Sequence, residues 1–113
     1  MTNMKKQILQ AGLLATLING MASGALMAAP PDAARRSELI DLLKQDCGAC
    51  HGMRLKGGLG PALTPDAIGR LSIETISETI LHGRPGTPMP PWQPFMSRDE
   101  AVWLAGRLKA GVD

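Results

Sequence analysis

The sequence predicts an all-α domain, and three observations predict it. Apolar residues recur at helical spacing in four separate stretches, while strand-type alternation occurs nowhere. Five of the nine prolines crowd into residues 85–94, outside those stretches. A chain of 113 residues has room for one small domain and no second lobe.

The first helix follows Pro30-Pro31-Asp32. Leu39, Leu42 and Leu43 form one apolar stripe, and the charges of Arg35, Arg36, Glu38, Asp41 and Lys44 fall largely elsewhere. This spacing predicts a helix running to about Gln45, directly into Cys47. Gly57, Gly58, Gly60 and Pro61 make Met53–Leu63 a loop. Thr64-Pro65 suits the cap and first position of a short helix through Arg70. Ser72 caps the next helix, with stripe Ile73, Ile76 and Ile80, Glu74 in its first turn and Gly83 as its stop. Pro85–Pro94 is a stiff extended loop. Ser97-Arg98-Asp99-Glu100 is a capping box that starts a last helix with Ala101, Leu104, Ala105 and Leu108 on one face.

Ahead of these elements, Lys5 and Lys6 precede a largely apolar run, Ile8 to Ile18, and then a zone rich in small residues. This order is that of a secretory signal, with cleavage expected after Ala28, so that residues 1–28 are the signal and 29–113 the mature domain. The apolar run from Leu13 to Ile18 is too short for a spanning helix, so no stable membrane anchor is expected after cleavage; the alternative is an uncleaved N-terminal anchor. Export by this route places the protein in the periplasm, and any prosthetic group must be added there.

The formal net charge of +2 belongs to that leader, because Lys5 and Lys6 fall within it and no acid does. The remaining ten basic and ten acidic residues balance, which argues against nucleic acid as a partner. Two cysteines are too few for a disulfide framework. With 3% aromatic residues and no Tyr, the mature domain is poor in core material and calls for an apolar prosthetic group or a partner.

Cys47-Gly48-Ala49-Cys50-His51 is a C-x-x-C-H, the attachment signature of a c-type haem. Two thiols three positions apart on a helical turn reach the two vinyl groups on one edge of a porphyrin, and the adjacent imidazole lies under the iron. A thioredoxin-like dithiol would need a preceding strand. Zinc would need four ligands, whereas the remaining histidines are His51 and His82 alone. A structural disulfide across so short a loop would contribute little.

The sixth iron position has four candidates. Met53 follows His51 by two residues and belongs on the same side of the porphyrin. Met96 abuts the capping box and suits the core. His82 ends a helix, where a cation complements the dipole. Met89, in Gly86-Thr87-Pro88-Met89-Pro90-Pro91, sits in a backbone stiffened by proline and is the ligand we expect. With both axial positions closed, the chemistry is one-electron exchange, not catalysis, and the thioether favours ferrous iron. A labile Met89 would instead suit a haem-based gas sensor or ligand-binding module.

The order of helix, C-x-x-C-H, Gly60-Pro61-Ala62-Leu63, short helices, Met89-Pro90 loop and final helix resembles a class I, monohaem cytochrome c over residues 34–110. That resemblance implies a fold of four to five short helices around one covalently bound haem c. It also implies that the Pro61 carbonyl accepts a bond from the His51 Nδ1–H. The wording Asp46–Met53, Leu55–Leu63 and Gly83–Trp92 is similar to the NirC-type small cytochromes of denitrifying bacteria, which accompany the haem-cd nitrite reductase. It implies a monomeric electron carrier that is processed by the cytochrome c maturation machinery. The carrier would serve redox partner proteins, either as donor to nitrite reductase or as electron acceptor in maturing its special haem. Arg54, Lys56 and Arg84 are candidates to ring the exposed haem edge, and Arg84 or Trp92 to reach a propionate. The family crosses its terminal helices through a small residue and an aromatic; here the first helix has no glycine, so Trp103 and Gly106 are expected to reverse or shift that contact.

Overall fold

The computed structural model describes residues 29–112. The expected signal segment, 1–28, lies outside the described residues. The elements are α1 (Ala33–Leu42), a π-helical turn (Leu43–Cys47), α2 (Gly48–His51), α3 (Pro65–Ile68), α4 (Ile73–His82) and α5 (Arg98–Ala110). Among the described residues there is no strand, and no helix is long and apolar enough to cross a membrane.

α1 begins where the Asp32 carboxylate accepts the Arg35 backbone N–H at 2.8 Å. It does not stop near Gln45. Helical backbone continues through the π turn, in which the Gly48 N–H reaches the Leu43 carbonyl, and on through α2. The stop is Gly52, at φ +93°, which an L side chain would resist. The chain then folds back, and the carbonyls of Cys50 and His51, which α2 cannot satisfy, accept from Gly60 N–H and Gly57 N–H at 2.8 Å each.

α3 ends at Ile68, two residues short of the expected Arg70. Beyond its end, Lys109 on α5 donates its ammonium to the Gly69 carbonyl at 3.0 Å and to the Leu71 carbonyl. In α4 the Ser72 hydroxyl accepts the Thr75 N–H at 3.0 Å. Its buried face is Ile76, Ser77, Ile80 and Leu81, whereas Ile73, expected in the stripe, is exposed at the first turn.

α5 starts with the expected capping box. Its inward face is the expected Ala101, Leu104, Ala105 and Leu108. The core gathers these with Leu39, Leu43, Leu55, Ile68, Ile76, Ile80 and Met96. α5 packs most extensively on α4 and also touches α1 and α3. A Cβ at Gly106 would meet nothing within 4 Å, so Gly106 is not the close-approach residue of the helix crossing. The small, fully buried residues on α5 are Ala101 and Ala105. A buried-edge ion pair also joins α1 to the start of α5: Arg35 Nε donates to Glu100 Oε1 at 2.6 Å.

Candidate haem site

Between the π turn, α2, the loop after it, α4 and the proline-rich loop lies a cavity of about 530 Å³. Cys47, Cys50, His51 and Met89, which are up to 42 residues apart in sequence, all line it. The walls are completed by apolar side chains including Leu63, Ile76, Ile80 and Leu104. A volume of this order belongs to small-molecule and cofactor sites.

His51 is held from two directions. Its Nδ1 donates to the Pro61 carbonyl oxygen at 2.7 Å, since a carbonyl can only accept. The proton is therefore on Nδ1, and Nε2 keeps the lone pair that a metal would take. Against the ring runs the backbone of Gly60, where a Cβ would stand 2.8 Å from His51 Nδ1 and Cε1. Only a glycine lets the loop lie flat on the imidazole.

Both cysteines are free and half-buried. Burial, then the neighbouring Asp46 charge, pushes the Cys47 thiol up to about 11. Among the described residues no group of three or more His, Cys, Asp or Glu converges as a metal cluster would.

Met89 is brought to the cavity by the end of α4. A Cβ at Gly83 would fall 2.6 Å from the Met89 carbonyl oxygen, so loop and helix end touch backbone to backbone. The Arg84 N–H donates to that carbonyl at 3.2 Å, and Trp92 and Gln93 N–H groups donate to the Ile80 and Leu81 carbonyls at 3.0 and 3.2 Å. The last turn of α4 is thus capped by the loop that carries Met89.

The other candidate ligands lie elsewhere. Met53 is 70% exposed and does not line the cavity. Met96 is buried in the core. His82 Nε2 lies 3.2 Å from Glu78 Oε2, outside the cavity lining. Of the three cations expected around the site, Arg84 lines the cavity, whereas Arg54 and Lys56 do not. Sequence reasoning missed Gly60 and Gly83 as contacts of the imidazole and of the methionine loop; their close approaches involve residues with no periodicity to reveal them.

These residues fit a haem. The donor set is two thiols, an imidazole with its Nε2 lone pair free and a thioether, in one largely apolar cavity. Gly60 and Gly83 clear the backbone beside the imidazole and the methionine loop.

Comparisons with known proteins show what the chain is similar to. Residues 34–106 match the family model described as cytochrome C oxidase, cbb3-type, subunit III. The chain is 57% identical over 81 residues to cytochrome c55X of Pseudomonas aeruginosa, covering 72% of this chain and 68% of that one. A solved structure of a c-type cytochrome NirC superposes with a TM-score of 0.69 at 56% identity, over 71% of this chain and 94% of that chain. A second, dihydro-heme d1 dehydrogenase NirN in complex with DHE, gives a TM-score of 0.58 at 38% identity, over 64% of this chain and 16% of that chain.

Proposed function

The chain belongs to the cytochrome c family and carries one covalently attached haem c, and from that premise we propose that it is a periplasmic monohaem carrier of single electrons in denitrification. The observation that carries the reading is the convergence of Cys47, Cys50, His51 and Met89 on one cavity, with the His51 tautomer set by Pro61. Cys47 and Cys50 would hold the haem through thioethers, and His51 and Met89 would supply its iron ligands. When bound, the haem supplies ferric–ferrous exchange.

The chain's own residues set the terms of that exchange. Pro61 orients His51 and makes Nε2 the better donor. The soft thioether of Met89 favours the ferrous state over bis-imidazole ligation. Apolar walls would limit water, and the stiff Pro88-Met89-Pro90-Pro91 segment would hold the Met89 thioether toward the cavity.

The relatives named cytochrome c55X and NirC, and the likeness to part of a dihydro-heme d1 dehydrogenase, support partners in the nitrite reductase system. The carrier delivers electrons to a haem-cd nitrite reductase or accepts them while that enzyme's special haem is finished. In the cavity lining Leu59 is 79% exposed, and the exposed Arg84 makes no ion pair among the described residues. An exposed apolar side chain beside an unpaired cation suits an acidic partner that docks weakly and leaves quickly.

Stopped-flow mixing tests the assignment. The reduced protein is expected to lose its electron faster to purified haem-cd nitrite reductase than to a generic acceptor of equal driving force. Equal rates would remove nitrite reductase as the dedicated acceptor.

A further inference from the structure

We propose that Lys109, on the last turn of α5, is a positioning residue for the haem; this rests on haem attachment at Cys47 and Cys50 as read above. It ties down the turn between α3 and α4 that walls the cavity, and by limiting water there it holds the reduction potential up. Ala67 and Ile68 of α3, and Leu71 just beyond it, line the cavity. The Lys109 ammonium donates to the Gly69 carbonyl at 3.0 Å and to the Leu71 carbonyl, within that same turn.

This wall is held at few points. α3 is four residues long, a single turn that is unstable by itself in water, and Ile68 is its one buried residue. Residues 69–72, which join α3 to α4, are all exposed, so no buried side chain anchors them. The Leu71 N–H closes the turn onto the Ile68 carbonyl at 2.9 Å. Among the described residues the Gly69 and Leu71 carbonyls accept no backbone N–H, and Lys109 takes both. The other end of α3 is met by the same segment: a Cβ at Gly111, just past α5, would lie 3.6 Å from the Pro65 ring.

α5 is the firmer partner. It begins with a capping box and buries Ala101, Leu104, Ala105 and Leu108. Lys109 follows Leu108, so its backbone is anchored while its four-carbon stem carries the ammonium to the turn. Hydrogen bonds from a charged donor are roughly twice as strong as neutral ones. Ferric haem carries more positive charge than ferrous haem, so water admitted past a loosened wall favours the ferric state and lowers the potential.

The test uses the purified haem-loaded protein and three variants: Lys109→Met, Lys109→Arg and, as a charge control on the same helix, Arg107→Gln. Arg107 is exposed and does not line the cavity. The readouts are hydrogen exchange at the Leu71 amide and the reduction midpoint at low and high salt. In Lys109→Met that amide is expected to exchange about tenfold faster, and the midpoint to fall at both salt concentrations. Lys109→Arg keeps charge and donors and restores most of both. Arg107→Gln leaves the exchange unchanged, and any change in its midpoint is screened away at high salt. If Lys109→Met loads no haem, Lys109→Gln, with a shorter neutral donor, is read in the same way. Unchanged exchange overturns the inference, and so does faster exchange with an unchanged midpoint. A midpoint shift that vanishes at high salt also overturns it, because the charge then acts through space alone. Each of these results leaves the haem assignment standing. Wild-type protein without a haem absorption spectrum overturns both.

Discussion

The imidazole of His51 is clamped between a hydrogen bond and a glycine: Nδ1 donates to the Pro61 carbonyl at 2.7 Å, and a Cβ on the preceding Gly60 would intrude to 2.8 Å from the ring. Two adjacent residues thus set the tautomer of the imidazole and crowd its ring. Gly60→Ala forces the loop or the ring to move, at a cost of about 1–3 kcal/mol for such overpacking. The expected result is a lower unfolding midpoint and a weaker His51–iron bond, read by thermal denaturation and by the iron–histidine stretch of the reduced protein. An unaltered stretch would show that the clamp does not act on the ligand.

Met89→Ala opens the sixth position. The midpoint potential falls by a large margin, the weak thioether-to-iron charge-transfer band disappears, and carbon monoxide binds the reduced protein rapidly. Met96→Leu and His82→Ala leave the band in place, because Met96 is in the core and His82 lies against Glu78. A band that survives Met89→Ala would move the ligand assignment to one of these two.

Gly83→Ala tests how the methionine loop is held. The added methyl group would fall 2.6 Å from the Met89 carbonyl oxygen, on backbone that cannot swing aside as a side chain does. Gly83 also has φ +65°, disfavoured for alanine. The charge-transfer band should weaken and carbon monoxide binding accelerate, with Cys47 and Cys50 still carrying haem. Unchanged ligand kinetics would mean that the loop holds Met89 without help from α4.

Glu100 gives the fold an acid-side dependence. The hydrogen bond from Arg35, then the Ser97 backbone N–H, holds its carboxyl below the usual value of 4.5. A depressed folded pKa adds stability that is complete above the unfolded pKa and is lost as pH falls through the folded one. Partial exposure limits the pair to about 0.5–1 kcal/mol. Glu100→Gln should therefore lower stability near pH 7 and flatten its loss below about pH 4.5. Urea titrations at both pH values check this, and parallel curves for wild type and variant would contradict it.

Local features of the chain were legible before the structure. The capping box from Ser97 to Glu100, the cap at Ser72 and the inward face of α5 follow from hydrogen bonds and spacing within one helix. The C-x-x-C-H needs only its own turn. What was not legible depends on distant partners or backbone detail. The π turn at Leu43–Cys47 leaves no mark in apolar periodicity. The Lys109 bonds to the carbonyls beyond α3 join residues about 40 apart. Arg35 meets Glu100 across 65 residues, a pairing that no spacing announces. The expectation for Gly106 failed because a glycine on a helix signals close approach only if something approaches, and here nothing does.

The intact mass of the protein purified from the periplasm tests the account most directly. It should exceed that of the mature polypeptide by one haem, with neither Cys47 nor Cys50 open to alkylation after denaturation. A colourless protein of bare polypeptide mass, with both thiols reactive, would contradict it.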